Sequence, residues 1–226
     1  MRRLLRLLLI TALLLTLAAI AVVGVSCVLL SRQPEWYQQA LAAPPAAEKK
    51  ADEFERRVAA LGSDVRLEQQ WEAVFTQAEI NSFLATRLND EFAKMLPAGV
   101  SDPRVVLRDG EMLLGARYHR GAINSILTVR ATAHLTDNAN EVAVALRDSR
   151  AGAVPIPLSK LVEEIEELAQ REGIDVRLRD TPDGPVILAQ LPEEHDKVVG
   201  RVHVKTIEVL SGEVYLAGRT LAYEPN

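Results

Sequence analysis

The residues of this 226-residue chain that could do chemistry are four histidines, two acidic clusters, a serine in Gly99-Val100-Ser101-Asp102-Pro103 and a single cysteine. Glu193, Glu194, His195 and Asp196 set three carboxylates and an imidazole side by side, donors that suit a divalent cation. A cation site needs three or four ligands converging at ordered spacing, which consecutive loop positions do not supply. Glu163, Glu164, Glu166 and Glu167 form the other cluster, but they face away from an apolar helical stripe with no histidine at ligand spacing. That pattern predicts a solvated face. The serine segment lacks the second glycine of G-x-S-x-G, and neither a P-loop nor G-x-G-x-x-G occurs. His134 and His203 alternate onto polar strand faces, and His119 sits near a turn. Cys27 lies in an uncharged run, so the rest of the chain has neither thiolate nor disulfide chemistry. No catalytic set, metal or cofactor follows from these residues, and the expectation is a non-enzymatic protein.

The elements that would position any site are easier to read. Thr76 is a helix N-cap with Glu79 completing a capping box and Phe75 placed to staple against Ile80; Ile80, Phe83, Leu84, Leu88, Phe92 and Met95 then form one stripe. Pro97 ends that helix. A second amphipathic helix opens at Pro155-Ile156-Pro157 and runs to about Arg171, with Leu158, Leu161, Val162, Ile165, Leu168 and Ala169 on its stripe. Between them, residues from Ile123 to Thr136 alternate: Ser125, Leu127, Val129, Ala131, Ala133 and Leu135 on one face; Asn124, Ile126, Thr128, Arg130, Thr132 and His134 on the other. This predicts an antiparallel strand with one wet face, long enough to bend or bulge.

Further strands are predicted at Val65 to Phe75, Arg104 to Arg108, Glu111 to Tyr118, Val142 to Asp148, Asp175 to Arg179, Val186 to Leu191, Arg201 to Val209 and Glu213 to Thr220. Asp109-Gly110, Asp183-Gly184 and Ser211-Gly212 mark hairpin turns. The segments Gly110 to Arg117 and Gly212 to Arg219 resemble each other over eight residues, as glycine turns feeding half-buried strands do. After Pro44-Pro45, Ala47, Ala51, Phe54, Val58 and Leu61 mark a helix over Ala46 to Leu61 with Gly62 at its C′ position. Its two-heptad seam predicts packing on the chain's own domain.

An address is written more clearly than a reaction. From Leu7 to Leu30 the chain runs 24 residues without a charged side chain. At about 1.5 Å per residue this reaches about 36 Å, enough to cross a hydrocarbon core of about 30 Å. A cleaved signal has a shorter apolar region and a small-residue cleavage pattern, so an uncleaved anchor is predicted. Arg2, Arg3 and Arg6 precede the run and Arg32 alone follows closely, which keeps the N-terminus cytoplasmic. Trp36 and Tyr37 fall where aromatic rings meet a membrane interface. The net charge is −5, and every Asp and Glu lies beyond the run. Such a balance speaks against a nucleic-acid partner and implies that lipid contact runs through apolar groups instead of a basic patch.

The order of elements carries a resemblance. Phe75-Thr76-x-x-Glu79-x-Asn81-x-x-Leu84 behind one N-terminal span, long strands, then Gly152-x-x-Pro155-x-Pro157 opening a helix, resembles the YpmS-like membrane-anchored proteins of unknown function. More distantly it is similar to the LmeA-like phospholipid-binding envelope proteins. The resemblance implies an α+β domain with a curved sheet around a helix, an apolar groove for lipid and no catalytic residue. Asn81 reads from chemistry as a hydrogen-bond partner for a nearby strand.

The expectation is thus α+β: an N-terminal transmembrane helix, then one domain with a long curved antiparallel sheet packed on amphipathic helices. Residues 1–31 are the cytoplasmic N-terminus and span, 32–63 a juxtamembrane linker and stalk helix, and 64–226 the extracytoplasmic domain. The protein is placed single-pass in the inner membrane of a cell envelope, holding lipid or another apolar ligand against Ile80, Phe83, Leu84, Leu127, Val129 and Ile165. Those residues would equally serve as core. A scaffold that contacts another envelope protein through a sheet edge or the helix seam is the alternative.

Overall fold

Thr76 folds as its neighbours dictate. Its hydroxyl accepts the Glu79 N–H at 3.2 Å while its own N–H donates to the Glu79 carboxylate at 2.9 Å, the capping box in full. In the computed structural model, residues 29–30, 32–42, 46–67, 69–88, 96–121, 123–171, 175–191 and 201–221 are described. They form α1 (Glu35–Leu41), α2 (Ala47–Leu67), β1 (Gln70–Thr76), α3 (Gln77–Thr86), β2 (Val100–Arg108), β3 (Glu111–Arg120), β4 (Ile123–Leu135), β5 (Glu141–Ala151), β6 (Val154–Pro155), α4 (Leu158–Arg171), β7 (Val176–Thr181), β8 (Gly184–Gln190), β9 (Arg201–Leu210) and β10 (Glu213–Leu221). The fold is α+β with a large antiparallel sheet and several helices. The larger sheet runs β2-β3-β4-β5-β8-β7 with β6 paired to β5, and a smaller one runs β1-β10-β9. All three glycine turns read from the sequence are hairpins.

The two look-alike hairpins lock together at their turns. Gly110 N–H donates to Val209 C=O at 2.7 Å, Gly212 N–H to Leu107 C=O at 3.1 Å, and Ser211 N–H to the Asp109 carboxylate at 2.9 Å. Asn140 ties the sheets a second time, donating to Val202 C=O at 2.6 Å and accepting Val204 N–H at 2.8 Å.

Core sits on the apolar face of β4, as its alternation requires. Ala131, Leu146 and Ile187 meet Val162 of α4, and Val105 and Leu107 meet Val209. Between Thr128 and Arg130 the β4–β5 register shifts at Asp148, whose φ is +49°. This bulge brings Arg147 and Arg150 to the same face of β5.

Several boundaries differ from expectation: α3 ends at Thr86, where its stripe predicts a helix to Met95, with residues 89–95 outside the described residues; β2 begins at Val100 instead of Arg104; and β5 extends to Ala151 instead of Asp148. Gly62 does not end α2, which continues to Leu67; the strand predicted from Val65 begins at Gln70. Beyond Gly62 the helix is tied to the smaller sheet, where Thr220 Oγ1 donates to the Val65 carbonyl at 2.6 Å. Phe54 packs against Phe75 and Phe83 with ring centroids 5.4 and 4.9 Å away, and Arg87 reaches Glu48, Asp52 and Glu55 of α2 at 2.8, 2.6 and 3.4 Å. The seam therefore packs on α3, although Val58 at its far end stays 46% exposed.

Arg57 also reaches across from α2, donating to Glu79 Oε1 at 3.1 Å. Burial pushes the Glu79 carboxyl up, but the Thr76 N–H and hydroxyl and the Arg57 guanidinium outweigh it and hold the group below the usual range. A carboxyl with a lowered folded-state value stabilises fully above its unfolded value, about 4.3, and loses that contribution as pH falls through the folded value. Glu79→Gln is therefore expected to lower the thermal midpoint near neutral pH and narrow the gap to the parent below about pH 4. Melting curves from neutral pH to about pH 3 check this; a gap constant across that range would refute it.

Candidate functional site

The described part of the 24-residue run is its end, and it is docked. Leu29 and Leu30 are helical, and their carbonyls are held by the domain: Ala153 N–H donates to Leu29 C=O at 2.9 Å and Ser125 Oγ to Leu30 C=O at 2.7 Å. Gly152 permits the approach. Its φ is +58°, and a Cβ there would overlap the Leu29 and Leu30 carbonyls. Its own N–H donates to Ile126 C=O at 2.8 Å, so the turn is fixed to β4 while it receives the incoming chain. The rest of the run, residues 7–28, lies outside the described residues, and among the described residues no helix is long and apolar enough to cross a membrane.

Beyond Pro34 the chain lies on the other face of the sheet. Trp36 and Tyr37 cover Gly115 of β3, where a Cβ would stand 2.7 Å from Trp36 Cη2 and 2.8 Å from Tyr37 Cδ2. Tyr37 is fully buried and donates its hydroxyl to Asp102 C=O at 2.7 Å. Burial, then the Asp102 carboxylate, raises its pKa above the ordinary phenol value. Arg104 closes the clasp from β2, donating to Ala40 C=O at 3.2 Å.

Between this segment and the sheet is a cavity of about 270 Å³, walled by Pro34, Trp36, Leu113, Thr128, Val129, Arg130, Asp148, Arg150 and Gly152. Arg130 is shared between Glu111 at 3.2 Å and Asp148 at 3.5 Å. Arg150 has no side-chain partner among the described residues. Register places Arg150 opposite Thr128 and Arg147 opposite Arg130, all four on one face of the pleat.

The six residues expected to line an apolar groove occupy several places. Ile80 and Leu84 pack on the Val105, Leu107 and Val209 cluster; Ile165 and Val129 pack on Ala131, Leu146, Val162 and Ile187. Phe83 stacks against Phe54, and Leu127 is half-buried between Ala116 and Ala151 on the neighbouring strands. Val129 also borders the cavity beside Pro34 and Trp36. Sequence reasoning missed Arg147 and Arg150, because residues three apart fall on opposite faces of a regular strand. The length of the partner strand, Ile123 to Thr136, was the available signal of a bulge.

Among the described residues no group of three His, Cys, Asp or Glu side chains is placed to hold a metal ion. His119 and His134 are exposed, His203 is half-buried, and the loop containing Glu193, Glu194, His195 and Asp196 lies outside the described residues. On α4, Glu163 and Glu167 are exposed and Glu166 half-buried.

Gly152→Ala is expected to impose about 1–2 kcal/mol of left-handed backbone strain in addition to the overlap with the Leu29 and Leu30 carbonyls. Hydrogen exchange checks it: the Ala153 amide is expected to exchange faster while core amides such as Leu146 keep their protection. Unchanged exchange at Ala153 would show that the docking does not depend on this glycine. No known protein family, curated protein or solved structure matches the chain.

Proposed function

We propose that this protein is a single-pass, membrane-anchored extracytoplasmic domain of a cell envelope that holds a lipid, without catalysing a reaction, at the junction of its anchor and its sheet. One observation carries this reading. The end of an uncharged 24-residue run is hydrogen-bonded into the domain through Leu29 and Leu30, and Gly152, which receives it, also walls a cavity. A lipid beside the anchor would have that cavity within reach. The apolar face that the sequence offered for a groove carries the two core clusters, which favours the junction as the site.

Native mass spectrometry of the full chain, extracted from bacterial membranes in a delipidating detergent, tests the reading. A retained lipid that is lost when Thr128 is replaced by Trp, with the thermal midpoint kept, supports it; a folded, lipid-free parent chain overturns it.

An assembly role is favoured by a separate observation. β7 ends the larger sheet with no further strand on its outer edge among the described residues, and Leu178 on it is 39% exposed. An open edge is a template for strand addition by a partner. Arg177, held on Glu141 at 2.7 Å, and Arg179 flank that leucine and limit indiscriminate pairing.

A further inference from the structure

The geometry points to a phosphate site: we propose that Arg147 and Arg150, with Arg130 beside them, bind the phosphate of a phospholipid headgroup in the leaflet that the anchor enters. The proposal rests on the lipid reading above and adds the ligand's chemical class. Three observations converge on it.

First is the unbalanced charge. Arg130 and Arg147 are direct cross-strand partners, and like charges so placed repel unless something neutralises them. Glu111 and Asp148 both serve Arg130, leaving Arg147 and Arg150 without a carboxylate among the described residues. An anion between them removes the repulsion, and a guanidinium fork matches a phosphate with paired hydrogen bonds.

Second is the bulge. A regular strand would send Arg147 and Arg150 to opposite faces. The positive φ at Asp148 inserts the residue that returns Arg150 to the face of Arg147 and turns the Asp148 carboxylate to Arg130 at 3.5 Å. Bulges that re-aim a side chain are features of sites.

Third is size and place. The cavity walled by Arg130 and Arg150, with Arg147 off its wall but paired across the sheet with Arg130, has about 270 Å³, below the roughly 300–1,000 Å³ of sites that enclose a drug-sized ligand, so it suits a headgroup and not acyl chains. Gly152 joins it directly to the carbonyls of Leu29 and Leu30, the last residues of the uncharged run, so the phosphate layer lies at its mouth. Trp36, on the opposite wall, is a residue type that settles at headgroup depth. The net acidity of the chain implied contact through apolar groups alone; bulk composition does not show that a strand register gathers three arginines on one face.

The test titrates the detergent-purified full chain with phosphatidylglycerol, with diacylglycerol of the same acyl chains, and with inorganic phosphate, reading bound mass by native mass spectrometry. Charge-assisted pairing predicts at least about tenfold tighter binding of phosphatidylglycerol than of diacylglycerol. The double variant R147Q/R150Q, altered at two exposed side chains, is expected to erase that preference without lowering the thermal midpoint of the lipid-free chain, and inorganic phosphate is expected to displace the phospholipid. Equal binding of the two lipids, or a preference that survives in the variant, overturns the phosphate site while leaving a lipid-binding domain. Failure of both lipids to bind overturns the lipid reading itself. Arginine-dependent uptake of inorganic phosphate with no phospholipid competing identifies a soluble phosphate as the ligand and overturns the headgroup assignment.

Discussion

Replacing Trp71 by alanine is expected to destabilise the fold by about 3–5 kcal/mol, the range for emptying a buried aromatic site. Trp71 is 7% exposed on β1, and its directly paired neighbour on β10 is Gly218. A Cβ at residue 218 would overlap Trp71 Cζ2 and Cη2, so the indole fills the space a side chain would occupy. The smaller sheet is thus clamped by one large ring on one glycine, at the point where β10 and β9 shift register. Trp71→Phe is expected to cost much less. The indole N–H has no hydrogen-bond partner among the described residues, so its removal breaks none of the bonds they make, and a six-membered ring still covers Gly218. Gly218→Ala, which overpacks the same contact, is expected to cost about 1–3 kcal/mol or more. Trp71→Ala relieves the overlap with the ring but not that with the His203 carbonyl, so W71A/G218A should fall short of the sum of the two single losses by about 0.5–3 kcal/mol. Urea midpoints of the parent, the two single variants and the double variant measure this directly; additive losses would show that ring and glycine do not form one contact.

What was legible in the sequence was whatever is decided within a few residues or by a period. The Thr76 capping box, the three glycine hairpins and the long alternation of β4 are local chemistry, and each stands in the structure within a residue or two of its expected place. The end of α2 was not legible. Gly62 is a sound stop signal, but the helix runs past it to where Thr220, 155 residues away in sequence, donates its hydroxyl to the Val65 carbonyl at 2.6 Å. The junction cavity was illegible for a related reason. Its walls come from α1's approach, β3, β4 and β5, and its chemistry depends on a one-residue bulge that strict alternation conceals. Trp36 and Tyr37 were read by their distance from the run, whereas Gly115 supplies the bare patch of sheet on which both rings lie.

Asn81→Leu is expected to cost about 2–6 kcal/mol, because it orphans two buried backbone groups at once and each is worth about 1–3 kcal/mol when left unpaired. The Asn81 side chain, 6% exposed, donates to Val105 C=O at 2.7 Å and accepts Val105 N–H at 2.9 Å. One helical turn earlier, Gln77 accepts Leu107 N–H at 2.7 Å. β2 is the first strand of the larger sheet, and these two amides take the place of a neighbouring strand along its open edge. The β9–β10 turn continues the cover, since Gly212 N–H donates to Leu107 C=O at 3.1 Å. Asn81→Asp separates the donor from the acceptor. An ionised carboxylate at this position still accepts the Val105 N–H but sets negative charge against the Val105 carbonyl, whereas the protonated acid both accepts and donates. Burial and that carbonyl raise the folded-state value above the unfolded value of about 3.9. A carboxyl shifted in this direction destabilises increasingly as pH rises through the unfolded value and toward the folded one. The N81D penalty should therefore shrink on acidification because protonation relieves the variant's own carboxylate, whereas the E79Q penalty shrinks because the parent loses a stabilising one; the N81L penalty, which involves no titrating group, stays level. Midpoints of both variants against the parent across the same pH range separate the two cases, and an N81D deficit that grows in acid would refute the paired hydrogen bonds as the function of this side chain.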